Sequence, residues 1–394
     1  MLFRSANANP GSTVFFPAGT YTITSTITLN NVNVIGVGSA TRLIGSISAL
    51  GSSNPMFVLT SICTIKNVFA SFDSRPSSAS SGQYVIFRCG DGSNPLQRYS
   101  NIDSVWTYYC GTAFYCPTGV GSVFSTTFSN LRVEFFVYRG FDFRGTDRTG
   151  NIYSNIYATA GISYNVSNNS YTISTGSKTF NTIYPTTDFI VGQIATIAGN
   201  PTTNAMYGTV TAITSSSLTI NVTSTIGSGA FSTWAITARN TCNCTFALSG
   251  IETECTINQL NSEHSYFTQA AIIFDNVYGL AATSIHIEQI EPASNNLPYV
   301  YTNSASGVID AISYLGNFYP QYINPAPETG TILFQLNSCK NYLGIAQPLT
   351  ANYFNIGVFN INNYTVTNNL VLGIVNSAHI NCVTLIALNS PTTY

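Results

Sequence analysis

Apolar and polar positions alternate in short runs along most of this chain, and the runs break at turn residues. Val14-Phe15-Phe16 halts at Pro17-Ala18-Gly19 and resumes as Thr20-Tyr21-Thr22-Ile23. Period-two alternation interrupted by Pro and Gly predicts two strands that meet at a corner. Ile27, Leu29, Val32, Val34 and Ile35 continue the pattern up to Gly36-Val37-Gly38. Three related phrases then recur, Tyr99-Ser100-Asn101-Ile102, Phe128-Ser129-Asn130-Leu131 and Tyr153-Ser154-Asn155-Ile156, with their last residues 29 and 25 positions apart. Looser echoes follow at Leu248-Ser249-Gly250-Ile251 and Thr283-Ser284-Ile285. A strand entrance that returns at an uneven period predicts coils of β-strand wound on one long axis, because stacked strands tolerate corner loops of any size.

Between about Asn168 and Arg239 these phrases vanish. Short apolar runs at Thr172-Ile173, Phe189–Gln193, Thr196–Asn200, Tyr207–Val210, Leu218–Val222 and Trp234–Ile236 alternate instead with Gly, Asn and Ser turns, the pattern of a small antiparallel barrel or sandwich. The expected fold class is therefore all-β: a solenoid of residues 1–167 and 240–394 interrupted by an inserted small antiparallel β-domain at 168–239. After the insertion, strands are expected through Ile251, Ile272, Ile285, Val308, Ile332, Phe354, Val371 and Ile380. Asn residues near such strands can stack and hydrogen-bond along the axis, a structural role that needs no ligand.

Composition narrows the picture. Charged residues make up 7% of 394 and hydrophobic ones 44%, and Ser, Thr and Asn fill much of the rest, so the polar face is neutral rather than ionic. With a net charge of −2 and 13 scattered basic residues, no stripe exists to neutralise phosphates, and nucleic acid is not an expected partner. Apolar runs such as Ala270–Phe274 are far short of the ~18–20 residues that span a bilayer, so no membrane is expected either. The nine cysteines include no Cys-x-x-Cys pair, and the three histidines lie apart. They are expected to be small buried apolar residues, with Cys110 and Cys116 the one pair close enough to watch, and no metal or cofactor is expected.

The segment Val14, Phe16, Pro17, Gly19, Tyr21 and Ile23 resembles the opening rung of the right-handed parallel β-helix of pectate-lyase-like proteins and bacteriophage tailspikes. Few residues precede Val14, whereas such proteins usually begin with a capping helix; the first rung is expected to carry a reduced cap or to be covered by another chain or domain. The 168–239 segment looks like the small β-domains inserted in phage tail proteins, with Gly192, Gly208 and Trp234 as matching marks. The resemblance implies a tailspike or tail-fibre subunit that forms a homotrimer, joins other virion tail proteins and contacts a host surface glycan. It also implies a place in the virion tail outside the cell, after assembly in the host cytoplasm.

The chain has only 15 carboxylates. Aligning the coils on Ile102, Leu131, Ile156, Ile251, Ile285 and Gly307 turns the residues one and three places further on outward. The first outward column then reads Asp103, Arg132, Tyr157, Glu252, His286, Val308, and the second Val105, Glu134, Thr159, Glu254, Glu288, Asp310. Parallel strands ~4.8 Å apart would bring such carboxylates to the separations used in glycoside hydrolysis. On this reading Glu288 is the acid, Glu254 or Asp310 the base or nucleophile, and His286 an orienting neighbour. Arg132, Tyr157, Glu134 and Glu252 would contact the sugar. Glu263-His264 forms a second cluster, on an expected corner loop. Two other readings stay open: a non-enzymatic structural or receptor-binding appendage, and a secreted adhesin or polysaccharide lyase. Outward tyrosines such as Tyr108, Tyr299, Tyr301, Tyr314, Tyr319 and Tyr322 suit either sugar stacking or a chain-to-chain interface.

Overall fold

The computed structural model describes residues 9–341 except 92, 97–98, 119–122, 146–147, 200–203, 289–290, 293–299, 304–305, 310–311, 316–321, 324–332 and 337–338. It is nearly all β, with parallel sheets and one short helix, Ile47–Leu50, an architecture consistent with the expected β-helix. In the first sheet, Thr13–Phe15, Asn33–Gly45, Thr64–Phe72, Asn101–Tyr108, Thr127–Glu134, Ile152–Thr159 and Thr256–Glu263 lie side by side in chain order. Leu280–Ala282 and Ile285–Glu288 follow together as the next rung. A second sheet runs through Ile27–Asn30, Phe57–Thr60, Val85–Cys89, Cys110–Cys116, Phe136–Phe143, Cys244–Thr253 and Ile272–Tyr278. All pairings within both sheets are parallel.

The recurring phrases mark a bend inside the first sheet. Asn67, Ser104, Asn130, Asn155 and Gln259 all have φ between 52° and 70°, and each precedes a buried residue: Val68, Val105, Leu131, Ile156 and Leu260. Asn tolerates this left-handed region better than most residues, and here the side chains also bond along the axis. Asn155 Nδ2 donates to Asn130 Oδ1 at 2.9 Å, and Asn130 Nδ2 to Asp103 Oδ1 at 2.8 Å. Leu131 stacks on Ile156, and Ile156 on Leu260.

Three of the expected alignments are corrected. Gly307 pairs with Leu280, whereas Ile285 pairs with Ile312. Ile102 pairs with Phe128 rather than Leu131, because Ser104, two residues past the end of the first phrase, takes the bend. The echo at Ser249-Gly250-Ile251 belongs to the second sheet, where Gly250 (φ 98°) makes an irregularity in the pairing with Ile272–Tyr278. Both bends demand a residue at ease with positive φ, so both resemble each other in sequence.

The interior is built on a file of phenylalanines. Phe57, Phe87, Phe114, Phe141 and Phe246 lie one above another in the second sheet, with ring centroids 5.4, 5.2, 5.0 and 5.1 Å apart, and all are buried. Truncating one such ring to Ala costs about 3–5 kcal/mol. Seven cysteines, Cys63, Cys89, Cys110, Cys116, Cys242, Cys244 and Cys255, are buried and form no disulfide, and six of them lie in this same core.

The chain leaves the coils after Thr159. Ile162–Ser167 runs antiparallel to Trp234–Cys242, which also pairs with Ile194–Ala198; Ala205–Thr214, Ser217–Ile226 and Gly176–Asn181 complete the sheet. Phe189–Gln193, expected as a strand, forms a turn instead. Trp234, Phe180, Ile197, Met206 and Ile220 head a core separate from that of the coils. The turn before it reaches back to the coil corner: Tyr109 donates its hydroxyl proton to Asp188, and Arg75 donates to the Asp188 carbonyl.

Candidate functional site

Each rung of the first sheet ends in three residues of which the middle one points inward, so its outer face carries two files of side chains. The inner file of the pair runs Arg42, Phe69, Trp106, Arg132, Tyr157, Asn261, His286, each residue in register with the next. Two residues further along each strand, Glu134, Thr159, Glu263 and Glu288 stand in register in the same way. Five strand steps separate Phe69 from His286, about 24 Å at ~4.8 Å per step.

The first end of the strip is aromatic. Arg42 lies over the Phe69 ring at 4.4 Å, and Phe69 meets Trp106 edge to face at 5.2 Å. With Thr20, Ser71 and Tyr108 they line a groove of 560 Å³. Amphipathic rings beside hydroxyls and a guanidinium suit the mixed apolar and polar faces of a sugar.

The middle is an ionic knot. Glu134, 6% exposed, accepts from Trp106 Nε1 at 2.7 Å and from Arg132 Nη2 at 2.8 Å. Arg132 in turn lies over Trp106 at 5.3 Å and Tyr157 at 5.1 Å. Its hydrogen bond to Glu134 raises the affinity of the guanidinium for its proton. Glu134 is thus fully occupied in ordering Trp106 and Arg132.

At the far end are two carboxylates on adjacent rungs. Glu263 pairs in register with Glu288, and together with His286 their donor atoms all lie within 4.8 Å of one another. His286 Nε2 is 3.3 Å from Glu288 Oε2, and His264 Nδ1 is 3.4 Å from Glu263 Oε2. Burial, the neighbouring charges of Glu263 and Glu134, and a hydrogen bond to Glu263 push the Tyr157 hydroxyl well above its ordinary range, so it remains a proton donor toward Glu263. Two carboxylates one rung apart, backed by a phenol and an imidazole, can perform acid and nucleophile chemistry. Glu263, His286 and Glu288 are also a set that could hold a metal ion.

The expected site residues are therefore redistributed. Arg132, Tyr157 and His286 share one file and Glu134 and Glu288 the other, as aligned in sequence. Glu254 does not stack on Glu288: it sits exposed at a corner with φ 57°, beside Gly279 of the next coil. Its place belongs to Glu263, because the rung begins at Leu260 rather than Ile251. Glu252 is not outward at all. It is fully buried, 3.4 Å from buried Arg148, and accepts from Asn151 and Tyr153, so it cannot reach a sugar. Asp310 lies outside the described residues. Trp106, Phe69 and Arg42 escaped the sequence reading, since the misplaced first phrase put Asp103 where Trp106 stands.

No protein-family model matches the chain, and no curated protein matches it. Among solved structures it is similar to ORF18 of Geobacillus virus E2, at 12% identity and a TM-score of 0.32 over 91% of this chain and 53% of that one. It is similar to the catalytic unit of the thermostable GH87 alpha-1,3-glucanase of Streptomyces thermodiastaticus strain HF3-3, at 11% identity and a TM-score of 0.35 over 97% and 67%. A variant GH87 alpha-1,3-glucanase catalytic domain in complex with tetrasaccharides aligns at 13% identity and a TM-score of 0.36 over 94% and 64%. The chain thus spans between 53% and 67% of the length of these three proteins. Their residues assign no role in this one.

Proposed function

We propose that the chain is a right-handed parallel β-helix with an antiparallel insertion, and that it serves as a homotrimeric tailspike or tail-fibre subunit among other virion tail proteins. Its outer strip holds a host surface polysaccharide along the file from Arg42 to His286 and hydrolyses it at the far end. The observation that carries the hydrolytic reading is the register of Glu263 on Glu288. Adjacent rungs set the two carboxyl groups near the ~5–5.5 Å of retaining glycosidases.

Glu263, which accepts from Tyr157, is the nucleophile; Glu288, beside His286, is the acid. The Glu288 carboxyl proton passes to the glycosidic oxygen as its bond to the anomeric carbon breaks, and a Glu263 oxygen bonds that carbon. Water, losing a proton to Glu288, then displaces Glu263 and restores both groups. Glu288→Gln and Glu263→Gln are each expected to lower release of reducing ends by about 10²–10⁴-fold with the fold intact. Full activity in either variant discards the assignment.

The aromatic groove favours a second reading, retention without cleavage, because Phe69, Trp106 and Tyr108 line it away from the carboxylate pair. Trp106→Ala should weaken binding under both readings. An oligosaccharide incubated with the assembled protein and recovered intact supports the second reading.

A further inference from the structure

We propose that Glu263, His286 and Glu288 form a binding site for a first-row transition-metal dication of the zinc class. Other shielded carboxylates of the described coils have strong N–H partners. Glu134 has Arg132 and Trp106, Asp142 has Arg139 and Arg144, and Glu252 has Arg148. Glu263 and Glu288 stand apart: among the described residues their ion pairs are with histidines only. Two carboxylates stacked on neighbouring rungs repel each other when both are ionised, and a dication between them removes that repulsion.

The donor set selects the ion. Two carboxylate oxygens and an imidazole nitrogen match zinc, manganese or cobalt better than magnesium or calcium, which favour oxygen alone. Metal–ligand bonds of ~2.0–2.2 Å put donors about 3.3 Å apart around a tetrahedral ion. Separations within 4.8 Å close to that value by rotation of partly exposed side chains on a fixed strand register. Tyr157, bonded to Glu263, supplies the outer support that orients a ligating carboxylate. Three protein ligands leave a fourth position for water or a sugar hydroxyl.

One consequence rests on the hydrolytic reading above: an occupied site has neither a free nucleophile nor a free acid, so the ion switches cleavage off. Binding is measured separately from activity, by calorimetric titration of the EDTA-treated whole chain with zinc chloride in excess magnesium, and by the visible absorption of the cobalt-loaded protein. The expected result is one saturable site per chain, with affinity reduced at least about tenfold in His286→Ala and in Glu263→Gln and the cobalt spectrum altered in both. Absence of saturable zinc binding, or binding unchanged in both variants, overturns the proposal. The glutamate variants assayed with polysaccharide in EDTA test hydrolysis alone, so either reading can fail without the other.

Discussion

In the parallel coils Leu131 rests on Ile156 and Ile156 on Leu260, partners 25 and 104 residues apart. In the antiparallel segment Thr214 faces Ser217 across a two-residue turn. The two regions bury apolar surface by opposite routes. Each coil gains its core only from the coils above and below, as in other stacked arrays, whereas the antiparallel segment closes a core of its own around Trp234. The difference decides where chemistry can be built. In-register parallel stacking repeats a side-chain position every ~4.8 Å, so residues distant in sequence become neighbours in a straight file. Glu263 and Glu288, and Trp106 and Arg132, meet for that reason alone.

The two tryptophans fall one in each region, Trp106 on the strip and Trp234 in the antiparallel core. Single-tryptophan variants therefore report each region separately. The largest contrast is expected in alkali. Burial raises the coil thiols above their ordinary 9.0, Cys116 to about 12 and Cys63, Cys89, Cys110, Cys242 and Cys255 also upward. Above pH 9 the unfolded thiols ionise while the folded ones hold their protons. The stability they contribute is therefore complete below pH 9 and lost as pH climbs toward 12, by up to about 1.4 kcal/mol per pH unit for each thiol. Between pH 8 and 10.5 the urea midpoint seen by Trp106 should fall far more than that seen by Trp234. Equal falls would show that the two regions unfold as one.

Phe114→Ala should cost the coils about 3–5 kcal/mol while leaving amide exchange in Ser217–Ile226 near its original rate. Inside the coil, Glu252→Gln removes the carboxylate paired with fully buried Arg148, whose Nε and Nη1 already lack a partner, and should cost about 3–5 kcal/mol. Outside it, Arg132→Ala breaks a pair in which the arginine is 56% exposed, and a loss of about 1 kcal/mol or less is expected. Both are read from urea denaturation of the Trp106 reporter, with the wild-type signal as reference. Asn155→Gly should have the smallest effect, since Gly relieves the positive φ while the bond to Asn130 is lost, a net within about 1 kcal/mol.

Much of this was legible in sequence. Ser-Asn-Leu and Ser-Asn-Ile, expected as strand entrances, fall on the bend, because a left-handed residue before an inward one leaves a fixed signature, and Val14 to Ile23 marked the first corner. Arg132, Tyr157 and His286 fell into one file because their rungs were aligned correctly. Glu263 was passed over, and Glu254 and Glu252 put in its column, because Gly250 makes a bend in a different sheet that looks the same along the chain. Inside and outside alternate with period two, so a misplaced entrance exchanges a buried glutamate for a surface one. The phenylalanine file was hidden for another reason. Its members come from strands between the recurring phrases, which no repeated motif marks.

The register of Glu263 on Glu288 is the claim on which both functional proposals stand, and disulfide trapping tests it most directly. Residues paired on adjacent parallel strands have Cα atoms within reach of a disulfide. Under mild oxidation the double variant Glu263→Cys, Glu288→Cys should cross-link within one chain, as read by peptide mass spectrometry, while Glu254→Cys, Glu288→Cys should not. Cross-linking of the second pair with none in the first would contradict the account.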